Sequence, residues 1–430
     1  MISWLMYWYL RVSAWPIYWL MFARRTYYKD KKDVNKFYKG PAIIVSNHKS
    51  IKDFPLMMFF MPFRKMYCQM SEAVYKKKGF NAWIMKVMGG IRVDRTNSEM
   101  SFLDKTEELL EKGKVVAIFP EGKLSTNGNV GKFGNSYILL ALRTGVPIIP
   151  VYTDGQYKFG KRCHLSVGKK IFLGDYCEEV NPSRETIESL NKMVRREVMK
   201  LGQEQRHLIN VDRYGKLLAL RNFMKDNGRL TVFTSGLYFK FKAFNVGPHK
   251  EKLKAKGPLL LIANHISFID PFSVIATFWR RRVYILTAEV VFTEGHNFRN
   301  WLLKEIGCIR IDRYSNDKEA FEKAVDVLDG GGTLLIFPNG RIHRDESTDD
   351  YKSGAALLAA RTGATVQPIF LKNQMKKWHK VEVHLGTPKT FKEYCDKEYP
   401  STQDMAGFMD ELFGEINFIK NEVENNGRDN

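Results

Sequence analysis

Cysteine is scarce in this chain. Five occur in 430 residues, at Cys68, Cys163, Cys177, Cys308 and Cys395, and no two form a Cys-x-x-Cys pair. That argues against a zinc site and a disulfide framework and fits a reducing compartment. Acidic residues are also in short supply. Forty-seven Asp and Glu against 68 Lys and Arg leave a formal charge of +21, so anionic partners are expected: nucleic acid, an anionic membrane surface or a phosphorylated metabolite. A Walker-type glycine loop, a zinc module and an aromatic-interleaved platform for single strands are all missing, so no nucleic-acid partner is expected. What is present is 44% hydrophobic and 27% charged. That is the balance of a folded protein, long enough for two to three domains.

The apolar residues are not evenly spread. Met1 to Ala23 is almost wholly apolar and aromatic, holds Trp4, Trp8, Trp15 and Trp19, and is interrupted by charge only at Arg11. No basic stretch precedes the run and no small-residue cleavage site follows it, unlike a signal peptide. A helix of that length could just span a bilayer. Arg11 near its middle would cost roughly 2.5–3.5 kcal/mol there, Pro16 would kink it, and a shallow or re-entrant anchor is the expectation. Residues 1–35 are therefore read as a membrane anchor. The basic run Arg24, Arg25, Lys29, Lys31, Lys32, Lys36 and Lys39 directs it to the cytoplasmic face. The plainer alternative is an internal helix packed on the core.

The rest of the chain repeats itself at an offset of 217 to 218 residues. Pro41-Ala-Ile-Ile-Val-Ser-Asn47-His48 matches Pro258-Leu-Leu-Leu-Ile-Ala-Asn264-His265, Gly90-Ile-Arg-Val-Asp-Arg95 matches Cys308-Ile-Arg-Ile-Asp-Arg313, and Phe119-Pro-Glu-Gly122 matches Phe337-Pro-Asn-Gly340. Matches in constant order mean a tandem duplication. Its halves are placed at 36–205 and 225–430, joined by a charged segment around Gln203 to Gly228. Within each half, β-branched runs alternate with helical patterns. Helices are expected over Asn97–Lys112, Asn135–Thr144, Lys318–Leu328 and Ala355–Thr362, with Gly113 and Gly145 as stop signals. Strands are expected over Val115–Phe119, Val146–Val151, Thr333–Phe337 and Thr365–Phe370. The alternation predicts an α/β fold: two tandem domains, each a mainly parallel sheet flanked by helices. The Asn-His and Phe-Pro-x-Gly blocks fall just after strands, where open α/β sheets carry their sites.

His48 and Asp53, and again His265 and Asp270, are separated by four residues that include a serine. A carboxylate on the next turn fixes a histidine's tautomer and stabilises the imidazolium, which makes a general base. One such pair is weak evidence; its recurrence in the same block order is strong. Plainer readings stand beside it. Glu121 could be a turn residue bonding backbone amides, and Arg95 and Arg313 could pair with neighbouring carboxylates.

These blocks resemble the glycerolipid acyltransferases, the lysophosphatidic acid acyltransferase superfamily. The resemblance rests on Asn47-His48-Lys-Ser50-Ile-Lys-Asp53, Gly90-Ile-Arg-Val-Asp-Arg95, Phe119-Pro-Glu121-Gly122 and Val146-Pro-Ile-Ile-Pro-Val151, and it covers most of both halves. It implies transfer of a fatty acyl group from acyl-CoA or acyl carrier protein to the hydroxyl of a lysophospholipid or glycerol phosphate, with membrane lipids as partners and neither cofactor nor metal. His48 and His265 would be the bases and Asp53 and Asp270 their orienters. Arg95, Glu121 and Gly122, and in the second half Arg313, Asn339 and Gly340, would hold the acceptor's phosphate or the developing oxyanion. The third block departs from the family's usual Gly-Thr-Arg-Ser, reading Gly122-Lys123-Leu124-Ser125 and Gly340-Arg341-Ile342-His343. A non-phosphate lyso-lipid acceptor and a non-catalytic lipid-binding scaffold remain open as alternatives.

Overall fold

The computed structural model describes residues 2–22, 25–71, 80–93, 101–125, 130–157, 162–179, 182–215, 226, 229–230, 241–245, 257–267, 270–292, 297–312, 317–338, 353–372, 381–397 and 400–425. They fall into two compact units, Met1–Arg206 and His207–Asn430.

The first unit is built on a seven-stranded sheet: β1 (Arg25–Tyr28), β2 (Ala42–Ser46), β3 (Met66–Ser71), β4 (Gly90–Val93), β5 (Val115–Ile118), β6 (Ile148–Thr153) and β7 (His164–Val167), in the order β1-β7-β6-β2-β5-β3-β4. Every pairing is parallel except β6 with β7. β2 and β5 are buried along their whole length, as the apolar runs of a sheet covered on both faces require. One face packs against the helix Asp53–Phe60 through Leu56, Met57 and Phe60, and the other against the helix Ser136–Thr144 through Tyr137, Ile138 and Ala141.

The second unit repeats the scheme with β8 (Phe241–Asn245), β9 (Leu259–Ala263), β10 (Val283–Ala288), β11 (Cys308–Ile311), β12 (Thr333–Ile336), β13 (Thr365–Lys372) and β14 (Val381–Leu385) in the order β11-β10-β12-β9-β13-β14-β8, plus a short β15 (Lys389–Thr390) beside β13. Only β13 pairs antiparallel, with β14 and β15. The predicted α/β architecture is thus present in both units. The expected helices and strands appear within a few residues of their places, at Ser101–Glu111, Ser136–Thr144, Lys318–Asp329 and Gly354–Thr362 and in β5, β6, β12 and β13. Gly145 and Gly363 close their helices with φ of 65° and 63°, a left-handed conformation that glycine adopts without a Cβ penalty.

A carbonyl-binding arginine recurs as well, half-buried at Arg64 and buried at Arg281. Arg64 donates to the carbonyls of Gly40 and Gly113, and Arg281, pushed down to about 10 by burial, donates to those of Gly257 and Gly331. Each clamps the starts of two strands.

Two boundaries differ from expectation. The segment read as an anchor, 1–35, contains β1, an edge strand paired with β7. The segment expected to link the halves begins instead as helix, since the helix from Arg184 runs to Tyr214. Its last residues belong to the second unit, where His207 Nδ1 meets Asp329 Oδ1 at 2.9 Å and Asn210 donates to Asp326 at 2.9 Å.

The apolar N-terminal run is a single helix, α1 (Ile2–Phe22), with Pro16 inside it. Among the described residues no helix is long and apolar enough to cross a membrane. One side of α1 packs on the core of the first unit: Tyr7 is fully buried, and Met6, Trp8 and Leu10 lie against the same cluster. Arg11, which reads in the sequence as a misplaced charge, is 3% exposed. Its guanidinium donates to the carbonyls of Met58, Met61 (2.7 Å) and Arg64 (2.6 Å) and to the Tyr7 hydroxyl. The Met58 and Met61 carbonyls end α2 (Asp53–Phe60) and that of Arg64 lies just beyond it, so Arg11 caps a helix C-terminus, where cations are favoured. The other side of α1 leaves Leu5, Tyr9, Val12 and Trp15 more than half exposed. In the second unit Arg229, 218 residues on, donates to the Trp279 carbonyl at 3.2 Å and pairs with buried Asp226 at 2.7 Å.

Candidate active site

β2 ends at Ser46, and the chain then turns to begin α2 at Asp53. Two tethers fix that turn. Asn47, buried, donates from Nδ2 to the Thr153 carbonyl (3.0 Å) and accepts the Thr153 N–H on Oδ1 (2.9 Å), joining the ends of β2 and β6. From the other side Glu121, just beyond β5, accepts the His48 N–H on Oε1 at 3.1 Å, and the His48 carbonyl accepts the Ser125 N–H at 2.8 Å. Three strand ends therefore meet at His48.

The His48 ring stacks on Phe119, centroids 4.3 Å apart. Its Nδ1 lies 2.9 Å from Asp53 Oδ2, an oxygen that also accepts the N–H groups of Lys49 (2.7 Å) and Ser50 (2.8 Å). Asp53 is fully buried at the first turn of α2, where backbone dipoles favour a negative charge. A carboxylate accepting at Nδ1 places the imidazole proton there and leaves Nε2 as the basic nitrogen. The ring is 22% exposed, and its Nε2 makes no hydrogen bond among the described residues.

The second unit reproduces this arrangement. His265 Nδ1 lies 2.9 Å from Asp270 Oδ2, which accepts Ile266 and Ser267 N–H groups, both at 2.7 Å. The ring stacks on Phe337 at 4.1 Å. Asn264 bonds the backbone of Leu371 in both directions, at 3.1 and 2.7 Å.

Of the residues singled out by sequence, His48, Asp53, Glu121 and Gly122 come together around one turn, as do His265 and Asp270. Glu121 engages a backbone amide. Gly122, at φ 66°, donates its N–H to the Phe119 carbonyl at 3.1 Å, so it serves the turn. Arg95, Arg313, Asn339 and Gly340 lie outside the described residues. Lys49 reaches away from the imidazole to the Tyr152 hydroxyl at 3.0 Å. Sequence reasoning passed over the stacking rings Phe119 and Phe337 and the clamps Asn47 and Asn264 as functional parts, although each recurs in the repeat and was legible there. It also passed over Tyr157, whose hydroxyl donates to Asp53 Oδ1.

The model of the Acyltransferase family matches residues 25–154 and 246–372, one copy in each unit and more than half of the chain. The chain belongs to the Acyltransferase family. The 1-acyl-sn-glycerol-3-phosphate acyltransferase BAT2 of Brassica napus is 32% identical over 120 residues, 27% of this chain and 34% of that protein. The 1-acyl-sn-glycerol-3-phosphate acyltransferase of Pseudomonas aeruginosa is 32% identical over 122 residues, 27% of this chain and 46% of the relative. The alignments thus span about a third to a half of these curated relatives. The crystal structure of the 1-acyl-sn-glycerophosphate acyltransferase PlsC from Thermotoga maritima matches with 23% identity and a TM-score of 0.35 over 46% of this chain and 78% of its own.

Proposed function

We propose that the chain is an O-acyltransferase moving a fatty acyl group from acyl-CoA or acyl carrier protein to the free hydroxyl of a lysophospholipid or glycerol phosphate, of the 1-acyl-glycerol-3-phosphate type. Family membership and the names of the relatives support the reading. The observation that carries it is the dyad itself, with a carboxylate held by two backbone amides fixing a partly exposed imidazole at Nδ1.

In the proposed step Nε2 of His48 takes the acceptor's hydroxyl proton as the oxygen attacks the thioester carbonyl. The C–O bond forms, the tetrahedral intermediate collapses, the C–S bond breaks, and the imidazolium returns its proton to the departing thiolate. Asp53 stabilises the imidazolium in between. A thioester is already activated, so a base worth typically 10² to 10⁴-fold suffices without a metal. Arg95 and Arg313 are assigned to the acceptor's phosphate, which suits a forked donor. Glu121 and Gly122, and Asn339 and Gly340 in the second half, are assigned to the side of the acceptor's phosphate and the developing oxyanion. Attachment to an anionic membrane surface is supported by the exposed Leu5, Tyr9, Val12 and Trp15 of α1 and the basic run that follows, an amphipathic anchor lying on the bilayer.

The test is thiol release from palmitoyl-CoA or palmitoyl carrier protein with 1-acyl-glycerol-3-phosphate as acceptor. His48→Ala is expected to remove at least nine-tenths of the turnover and His48→Ala with His265→Ala all of it. Full turnover in the double variant overturns the reading.

A further inference from the structure

The two sites agree in the histidine, the stacked ring and the amides on one carboxylate oxygen. They differ at the other oxygen. In the first unit Asp53 Oδ1 accepts the hydroxyl of Tyr157. In the second, Asp270 Oδ1 is buried and has no hydrogen-bond partner among the described residues.

The local sequence explains the difference. β6 runs out as Thr153-Asp154-Gly155-Gln156-Tyr157, whereas the residues 218 positions later read Leu371-Lys372-Asn373-Gln374-Met375. The first segment is built to bring a hydroxyl back toward Asp53. Asp154 Oδ1 accepts the Gln156 N–H at 3.1 Å, and its Oδ2 is held 2.7 Å from His164 Nδ1 on β7. Gly155, at φ 68°, lies so close to Lys49 that a Cβ would meet that side chain at 2.7 Å. The glycine thus permits both the left-handed backbone and the close approach to the loop of the catalytic histidine. The Thr153 hydroxyl lies 3.3 Å from that of Tyr157 and accepts the Gly155 N–H at 3.3 Å. In the second segment Leu371 and Met375 replace both hydroxyls, and Asn373 replaces the glycine.

The geometry points to Tyr157 as a positioning residue of the first site. By holding the second oxygen of Asp53 it prevents rotation of the carboxylate and keeps Oδ2 on the imidazole, and among the described residues this support is found in the first repeat and not in the second. The inference rests on the proposed acyl transfer for its effect on turnover. Among the described residues the first site is a His-Asp-Tyr chain and the second a His-Asp pair. A hydrogen bond to a buried charge is among the stronger ones, and its loss leaves the carboxylate free to turn away from its amides.

The test uses the full chain with His265→Ala as background, so that one site reports. Tyr157→Phe is expected to lower kcat about ten- to hundredfold with KM changed less than about twofold. In proton NMR the low-field Nδ1–H signal of His48 is expected to move in Tyr157→Phe. An unmoved signal, or kcat within twofold of the background, overturns the proposal. The NMR arm needs no turnover, so it separates this failure from that of the acyltransferase reading, which fails on full activity of the double histidine variant.

Discussion

Arg11 offers a test in which sequence and structure demand opposite signs. If α1 lay in the bilayer with its arginine in hydrocarbon, Arg11→Leu would relieve roughly 2.5–3.5 kcal/mol and tighten attachment. The structure instead buries the guanidinium against three carbonyls at and just beyond the end of α2 and the hydroxyl of Tyr7. Leucine cannot donate, so two buried carbonyls and one part-buried one lose partners, at about 1–3 kcal/mol each where they stay dry. Partial rewetting and the gain of an apolar side chain offset some of this, leaving a net loss of about 3–5 kcal/mol, the range seen when one member of a buried charged network is removed. That is a large part of the whole stability of a domain. Urea unfolding followed by tryptophan fluorescence suits the question, because four of the eight tryptophans lie in α1. With a slope of about 2–3 kcal/mol per M, the midpoint of the first unit is expected to fall by on the order of 1–2 M. A midpoint that stays or rises, with tighter vesicle binding, would refute the capping role.

Two further outcomes concern stability alone. At the start of the helix Thr402–Asn425, Asp404 accepts the Ser401 N–H and Ser401 Oγ accepts the Asp404 N–H, while Lys397 lies 2.8 Å from the same carboxylate. Lys397 first, then the Ser401 hydroxyl and amide, hold Asp404 at about 2 against an ordinary 3.8. A depressed carboxylate contributes stability that is full above the unfolded value and is lost as pH falls through the folded one. The stability difference between wild type and Asp404→Asn is therefore expected to be constant above about pH 5 and to vanish between about pH 4 and pH 2 in denaturation curves. At Gly168 a Cβ would meet Pro150 Cγ at 2.7 Å and Leu201 at 3.3 Å, so Gly168→Ala is expected to cost about 1–3 kcal/mol by overpacking, read as a lower melting temperature.

What could be read from the residues was whatever occurs twice or follows a backbone period. The duplication, the dyads, the helix stop at Gly145 and the buried central strands all announce themselves by repetition or pattern. Contacts made across long sequence distances did not. β1 is four residues, Arg25-Thr-Tyr-Tyr, without the apolar run of the central strands, and becomes a strand because β7 offers it an edge. Arg11 was priced against lipid because its partners, 47 to 53 residues away, are backbone carbonyls that leave no mark on composition. Tyr157 escaped notice for the opposite reason to His48. It has no counterpart in the second half, so the comparison that exposed everything else was silent there.

The eight residues of α2 join Asp53 at one end to the carbonyls gripped by Arg11 at the other. At ~1.5 Å per residue that is a strut of about 12 Å between the N-terminal helix and the turn that carries His48. The carbonyls that seat α1 and the carboxylate that seats the imidazole are thus opposite ends of one short helix, so the order of the N-terminal segment and the order of the dyad share a single support.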